Sequence, residues 1–177
     1  KQAAIYTLLS KSLVHQQFEL FKQSYAFMPK NAMQYQGYNS DNEQLKNKPD
    51  FSNFIWNGAN ITPQLKCSTL ETLVSQLAQT PKDLLLNVCL GEYFRSEQGY
   101  SLQQLSYNEK QTSNFSGKIF ARGQIYQDLI KSSSKSDLQA YALYRAIQCY
   151  APSGINDCGG NEVNKTVRKQ WFDQIKT

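Results

Sequence analysis

Apolar positions recur near a 3.6-residue period through most of the chain, a spacing that predicts helices. Over residues 1–28, Ile5, Leu8, Leu9, Leu13, Leu20 and Phe21 keep that spacing with no Gly or Pro between them, and Pro29 closes the run. From Lys30 to Thr62 the pattern dissolves into Asn, Gln, Gly, Tyr and Ser, so 30–62 reads as a loop-rich insertion. Ser68-Thr-Leu-Glu71 then spells a capping box, with Ser68 expected as N-cap and Glu71 reaching back to its amide. Behind it Leu70, Leu73, Val74, Leu77 and Ala78 form one stripe. Thr80-Pro81-Lys82-Asp83 opens a second helix, with Thr80 as its expected N-cap and Pro81 at its first position. Two helices so closely joined must fold back as an antiparallel pair. Leu84 to Leu90 is apolar on most sides, which places the second helix deeper.

Gln98 to Ser116 is polar and predicts a loop. Ile119, Phe120, Tyr126, Leu129 and Ile130 mark a helix over 118–131, and Ser132-Ser133-Ser134 marks the turn after it. Ser136-Asp137 caps a helix with two stripes, Leu138/Ala142/Ala146/Cys149 and Leu143/Ile147/Tyr150, which implies burial on two sides. Pro152 and Gly154 stop it, and Val163, Val167, Trp171 and Ile175 mark a last amphipathic helix. No window sustains strand alternation. The expectation is one all-α domain over 1–177 with long polar loops, read as a segment of a mature or larger protein.

Composition narrows the class. The 177 residues include 22 aromatics that need burial, which argues against wholesale disorder. Nine Gly, five Pro and four Cys exclude collagen and a small disulfide knot. The net charge of +5 biases the surface weakly toward acidic partners, but the basic residues are scattered. Their nearest approach to a patch is Lys165, Arg168 and Lys169, and no motif supports a nucleic-acid module. The longest apolar run, Leu84-Leu85-Leu86 and its extension to Leu90, falls well short of the roughly 18 residues of a membrane span.

Cys149 and Cys158 bracket a loop full of turn formers that would bring their thiols together, leaving Cys67 and Cys89 for each other. Such pairing implies an oxidising compartment, the periplasm or the outside. Four reduced, buried thiols in a cytosolic protein are the alternative. The cysteine spacing, with one His in the chain, argues against zinc.

A hydrolase needs a nucleophile beside an oriented base. The only histidine, His15, sits within the first helical pattern, where a core or helix-face role is the simpler account. Paired carboxylates for glycosidic cleavage could come from Glu92 and Glu97 or from Asp157 and Glu162, but Arg95 three residues after Glu92 predicts an intrahelical ion pair. No phosphate loop, dinucleotide fingerprint or metal cluster is present in the sequence, and no cofactor is expected. Tyr35, Tyr38 and Trp56 lie in an Asn- and Gln-rich stretch, and aromatic faces beside amides suit sugars. The simpler reading is that Phe54, Ile55 and Trp56 anchor the loop to the helices. Three Asn-x-Ser/Thr triplets, at Asn60, Asn114 and Asn164, arise by chance in a chain with 13 Asn.

Residues 118–151 run helix, turn, helix, with Tyr126 in the first helix and the small residues Ala142 and Ala146 in the second. This arrangement resembles a tetratricopeptide-type repeat. Ala142-Leu-Tyr-Arg-Ala-Ile-Gln-Cys-Tyr150 is similar to the second helix of repeats in bacterial outer-membrane assembly lipoproteins. Val167-Arg-Lys-Gln-Trp-Phe-Asp-Gln-Ile-Lys176 resembles the opening helix of a following repeat. The likeness covers about 118–177 and implies stacked helix pairs, as a solenoid or an irregular bundle, whose concave face holds a peptide or subunit. The leading expectation is therefore a non-catalytic scaffold for a protein partner in the bacterial cell envelope, periplasmic or outer-membrane-associated. Arg145, Lys165, Arg168, Lys169 and Trp171 are its expected partner-facing residues. A peptidoglycan- or glycan-binding module using Tyr35, Tyr38 and Trp56 is the alternative, and a helical cell-wall hydrolase centred on Glu92 is the third reading.

Overall fold

A computed structural model describes residues 1–30, 49–112, 114–132, 136–150 and 153–176. Among them are eight α-helices: α1 (Gln2–Val14), α2 (Phe18–Tyr25), α3 (Leu70–Gln79), α4 (Leu84–Arg95), α5 (Tyr100–Thr112), α6 (Arg122–Lys131), α7 (Asp137–Gln148) and α8 (Lys165–Gln174). A short 3-10 helix, Phe51–Phe54, and one antiparallel pair of two-residue strands, β1 (Ala59–Asn60) and β2 (Lys66–Cys67), precede α3. The fold is mostly helical, as the apolar period implies.

Two apolar cores share α4. The first gathers Leu9, Leu13 and Phe21 with Phe51, Phe54 and Trp56, the α3 stripe, and Leu90, Tyr93 and Phe94 of α4. The second is built from Val88 of α4, Tyr126 and Leu129 of α6, Ala142 and Ala146 of α7, and Trp171 of α8. Asn87 through Phe94 are all buried, so the helix expected to lie deeper does so. At the crossing of α4 and α6, a Cβ on Gly91 would stand 3.2 Å from that of Arg122, so hydrogen at this position allows the close approach.

Several local expectations shift. The first helical run divides at Gln16, which adopts φ 57° and donates its side-chain amide to the Lys118 carbonyl at 2.8 Å. No Gly or Pro announces this break; tertiary contacts hold it. The N-cap of α3 is Thr69, whose hydroxyl accepts from the Thr72 amide, not Ser68. The N-cap of α4 is Asp83, accepting from Leu86 at 2.9 Å, so Thr80 and Pro81 belong to the turn. Asn87 reinforces that turn by donating to the carbonyls of Pro81 and Asp83, at 2.9 and 2.7 Å. Ser136 caps α7 as expected, and Asn164 caps α8 by accepting from Val167 at 3.0 Å. The stretch 118–121 precedes α6 instead of belonging to it; the Phe120 amide donates to the Val14 carbonyl at 2.8 Å and its ring stacks on Phe94.

The largest correction is α5, which occupies most of the polar stretch expected to be a loop. Its inward face is Leu102, Leu105, Ser106 and Glu109, which is helical spacing with only two apolar members. Both disulfides are formed, Cys67–Cys89 tying β2 to α4 and Cys149–Cys158 closing the loop after α7. That second loop is welded to its surroundings. The Asp157 carbonyl accepts from the Gln103 side chain at 3.2 Å, from the Tyr107 hydroxyl and from Arg122 at 3.3 Å. A Cβ on Gly123 would fall 2.2 Å from the Gly159 carbonyl oxygen, so the loop lies directly against the start of α6.

Candidate functional site

The residues singled out by chemistry divide into buried and exposed groups. Glu92 on α4 is 6 % exposed and sits where α4, α6 and α7 meet. Arg95, one helical turn on, donates to its Oε2 through Nη2 at 2.8 Å and Nε at 3.2 Å. This is the intrahelical pair the spacing implies. The guanidinium of Arg145 on α7 approaches Oε1, with its Nε at 3.8 Å. Tyr141 and Tyr126 crowd the same junction, and the Tyr126 hydroxyl, Glu92 Oε1 and Arg145 Nε are buried with no hydrogen-bond partner among the described residues.

Burial pushes the Tyr141 hydroxyl well above the ordinary tyrosine range, and the nearby Glu92 carboxylate pushes it further. Tyr126 is raised by burial and then by Glu92, against the opposing pull of Arg122 and Arg145. Tyr93, in the first core, is raised by burial first and then by Tyr6 and Tyr25. The folded state therefore holds these protons at pH values where the unfolded chain, near the ordinary value of 10.0, releases them. Stability is accordingly expected to be insensitive to these groups below that pH and to fall as pH rises through it. Urea midpoints at neutral pH and at about pH 11, with tyrosinate absorbance followed in parallel, check this. Tyrosinate signal from all tyrosines ahead of unfolding would contradict it.

His15 at the end of α1 is also interior, 2 % exposed. Its Nε2 lies 2.9 Å from Glu109 of α5, whose other carboxylate oxygen is 3.0 Å from Lys11. The core role weighed for His15 is the one it fills: it helps hold polar α5 against α1. Among the described residues, no group of three or more His, Cys, Asp or Glu could hold a metal ion.

Two residues expected on the partner-facing surface are built into the interior. Trp171 is 6 % exposed and anchors α8 in the second core. The Arg145 side chain is 11 % exposed and answers the buried Glu92 charge. Trp56 is likewise buried, packed edge-on against Tyr93 with ring centroids 5.7 Å apart, so it anchors the loop instead of offering a free face to sugar. Tyr35 and Tyr38 lie outside the described residues.

Of the basic trio, two residues stay outside and Arg168 is half-buried. Lys165 and Lys169 are exposed, and Arg168 lies over the Tyr150 ring at 4.7 Å and reaches the Gly154 carbonyl at 3.4 Å. Lys165, Lys169, Phe172 and Lys176 follow i, i+4, i+7, i+11 spacing, so they form one stripe turned away from Trp171. Phe172 is 48 % exposed, with the Lys176 ammonium 4.1 Å above its ring, and Ile175 beside it is 39 % exposed.

No family model, curated protein or solved structure matches this chain. Function is therefore read from the surface itself. Sequence patterning missed Phe172 and Ile175 as surface groups. The stripe Val163, Val167 and Trp171 could have found Phe172, since it follows Trp171 by one residue and lies about 100° further round the helix, off that stripe.

Proposed function

We propose that this chain is a non-catalytic helical docking module of the bacterial cell envelope, tetratricopeptide-like over 118–177, which binds an acidic protein segment along α8. The observation that carries this reading is the α8 stripe. Three exposed lysines share a stripe with one exposed aromatic ring, Lys176 lying over it, on a helix whose opposite side is anchored by Trp171. A cationic rim around an apolar anchor suits an amphipathic segment bearing carboxylates, since charge speeds and orients encounter while the ring supplies contact area. The small residues Ala142 and Ala146, both buried between neighbouring helices, support the repeat-like pairing. The two disulfides support an oxidising compartment. Among the described residues no helix is long and apolar enough to cross a membrane.

The test is a photo-crosslinking residue at Phe172, compared with the same probe at exposed Gln104 on α5. The expected result is a discrete protein adduct only from position 172, reduced at least about fivefold by the double variant Lys165→Glu, Lys169→Glu. Adducts that ignore both probe position and charge reversal would overturn the assignment. Sedimentation with peptidoglycan at micromolar protein discriminates the glycan alternative, because a docking module has at most a weak, millimolar contact with single sugar units and stays in the supernatant.

A further inference from the structure

A second site lies away from α8, where α1 and α5 diverge beside the first core. They leave a cavity of about 270 Å³. That is just under the roughly 300–1,000 Å³ of ordinary ligand pockets, room for one ring and its substituents. Leu102 and Leu105 of α5 supply apolar wall, and Tyr6, Thr7, Ser10 and Ser101 supply hydroxyls. Ser10 is the informative member. It is 3 % exposed, and its hydroxyl has no hydrogen-bond partner among the described residues. Buried hydroxyls are as a rule paired, because losing water without a replacement is costly. One left unpaired on a cavity wall is poised for something that enters the cavity.

The rim is already organised. The Asn53 side-chain amide donates to the Tyr6 hydroxyl at 3.0 Å and to the Ser101 hydroxyl at 3.2 Å, fixing both on the α1 and α5 sides. The Tyr6 ring is held edge-on to Phe51 and Phe54. Lys11 also lines the cavity, but its ammonium is 3.0 Å from Glu109, so the site carries a neutralised cation in place of a free one. Apolar wall, convergent hydroxyls and no surplus charge match an uncharged, hydroxylated ring, since a pyranose presents apolar C–H faces and hydroxyl edges together.

We propose that this cavity binds a single neutral pyranose-sized sugar unit, with Ser10 hydrogen-bonding one of its hydroxyls. The site uses none of the residues of the α8 stripe, so it stands or falls separately from the docking reading.

The probe is N-acetylglucosamine titrated into the full, ¹⁵N-labelled chain, with benzoate as the apolar anionic control. Amide shifts should saturate in the millimolar range and centre on Ser10, Lys11 and Ser101, and benzoate should leave them unchanged. Ser10→Ala should weaken binding about five- to tenfold, the worth of one hydrogen bond, without lowering the unfolding midpoint, since it removes an unpaired buried hydroxyl. Leu105→Trp, which fills the cavity, should abolish the shifts. The proposal is overturned if the sugar gives no saturable shifts, if they persist in Leu105→Trp, if Ser10→Ala binds as the parent does, or if benzoate binds and the sugar does not.

Discussion

Replacing Glu92 by alanine is expected to lower the unfolding free energy by about 3–5 kcal/mol, the usual cost of removing one partner from a buried ion pair. The carboxylate is 6 % exposed and answers two guanidinium groups, Arg95 at 2.8 Å and Arg145 at 3.8 Å. Arg95 is 45 % exposed and can turn to water when its partner is lost. Arg145 is 11 % exposed and cannot, so its charge would remain desolvated beside Tyr126 and Tyr141. The cost therefore comes mainly from the orphaned Arg145. It follows that Glu92→Met combined with Arg145→Met should recover much of the loss, because the junction then packs as an apolar one. Urea unfolding of the two single variants and the double, at unchanged slope, measures this. A loss below about 1 kcal/mol in Glu92→Ala would mean the pair behaves as a surface one.

Opening the Cys67–Cys89 bridge is expected to cost about 3 kcal/mol through the freedom returned to the unfolded chain. The bridge spans a sequence separation of 22 and joins β2 to the central helix α4, so its loss also loosens the loop that delivers Trp56 to the first core. Both cysteines are buried, at 8 % and 1 % exposure, which limits attack by a reductant on the folded protein. The Cys149–Cys158 bridge closes a shorter separation of 9, and the Asp157 carbonyl is held by three donors independently of it. Cys149→Ser with Cys158→Ser is therefore the milder variant. Urea midpoints of both serine pairs give the ranking, and a thiol count on the denatured, unreduced protein should be zero. Four titratable thiols would contradict both disulfides and the oxidising compartment inferred from them.

The parts of the site that were legible in the chain share a property: their signals are local. Ser136 caps α7 because a hydroxyl at the helix start can reach the amide of Gln139, three residues on. Glu92 and Arg95 meet because one helical turn brings them together. The cysteine pairs were legible because turn formers between Cys149 and Cys158 bring those two thiols close and leave Cys67 and Cys89 over.

Where the sequence misled, the buried face was polar or the partner was distant. Hydrophobic period passes over α5 because Ser106 and Glu109 occupy half of its inward face. Glu109 is tolerated there because Lys11 and His15, nearly a hundred residues earlier, pair with its two carboxylate oxygens. The repeat likeness assigns Arg145 and Trp171 to a partner-facing surface, whereas their burial depends on Glu92 and on the second core.

The sequence by itself determined the helical class and placed α3, α4, α6, α7 and α8 to within a few residues, since each rests on contacts within a few turns, and it offered the cysteine pairing beside a reduced alternative. Only the tertiary structure decided where α1 breaks, that α5 is a helix, which charges are interior, and that Phe172 with its lysines stays outside. Those outcomes depend on desolvation, and whether a charge or ring leaves water is set by residues far away in the chain.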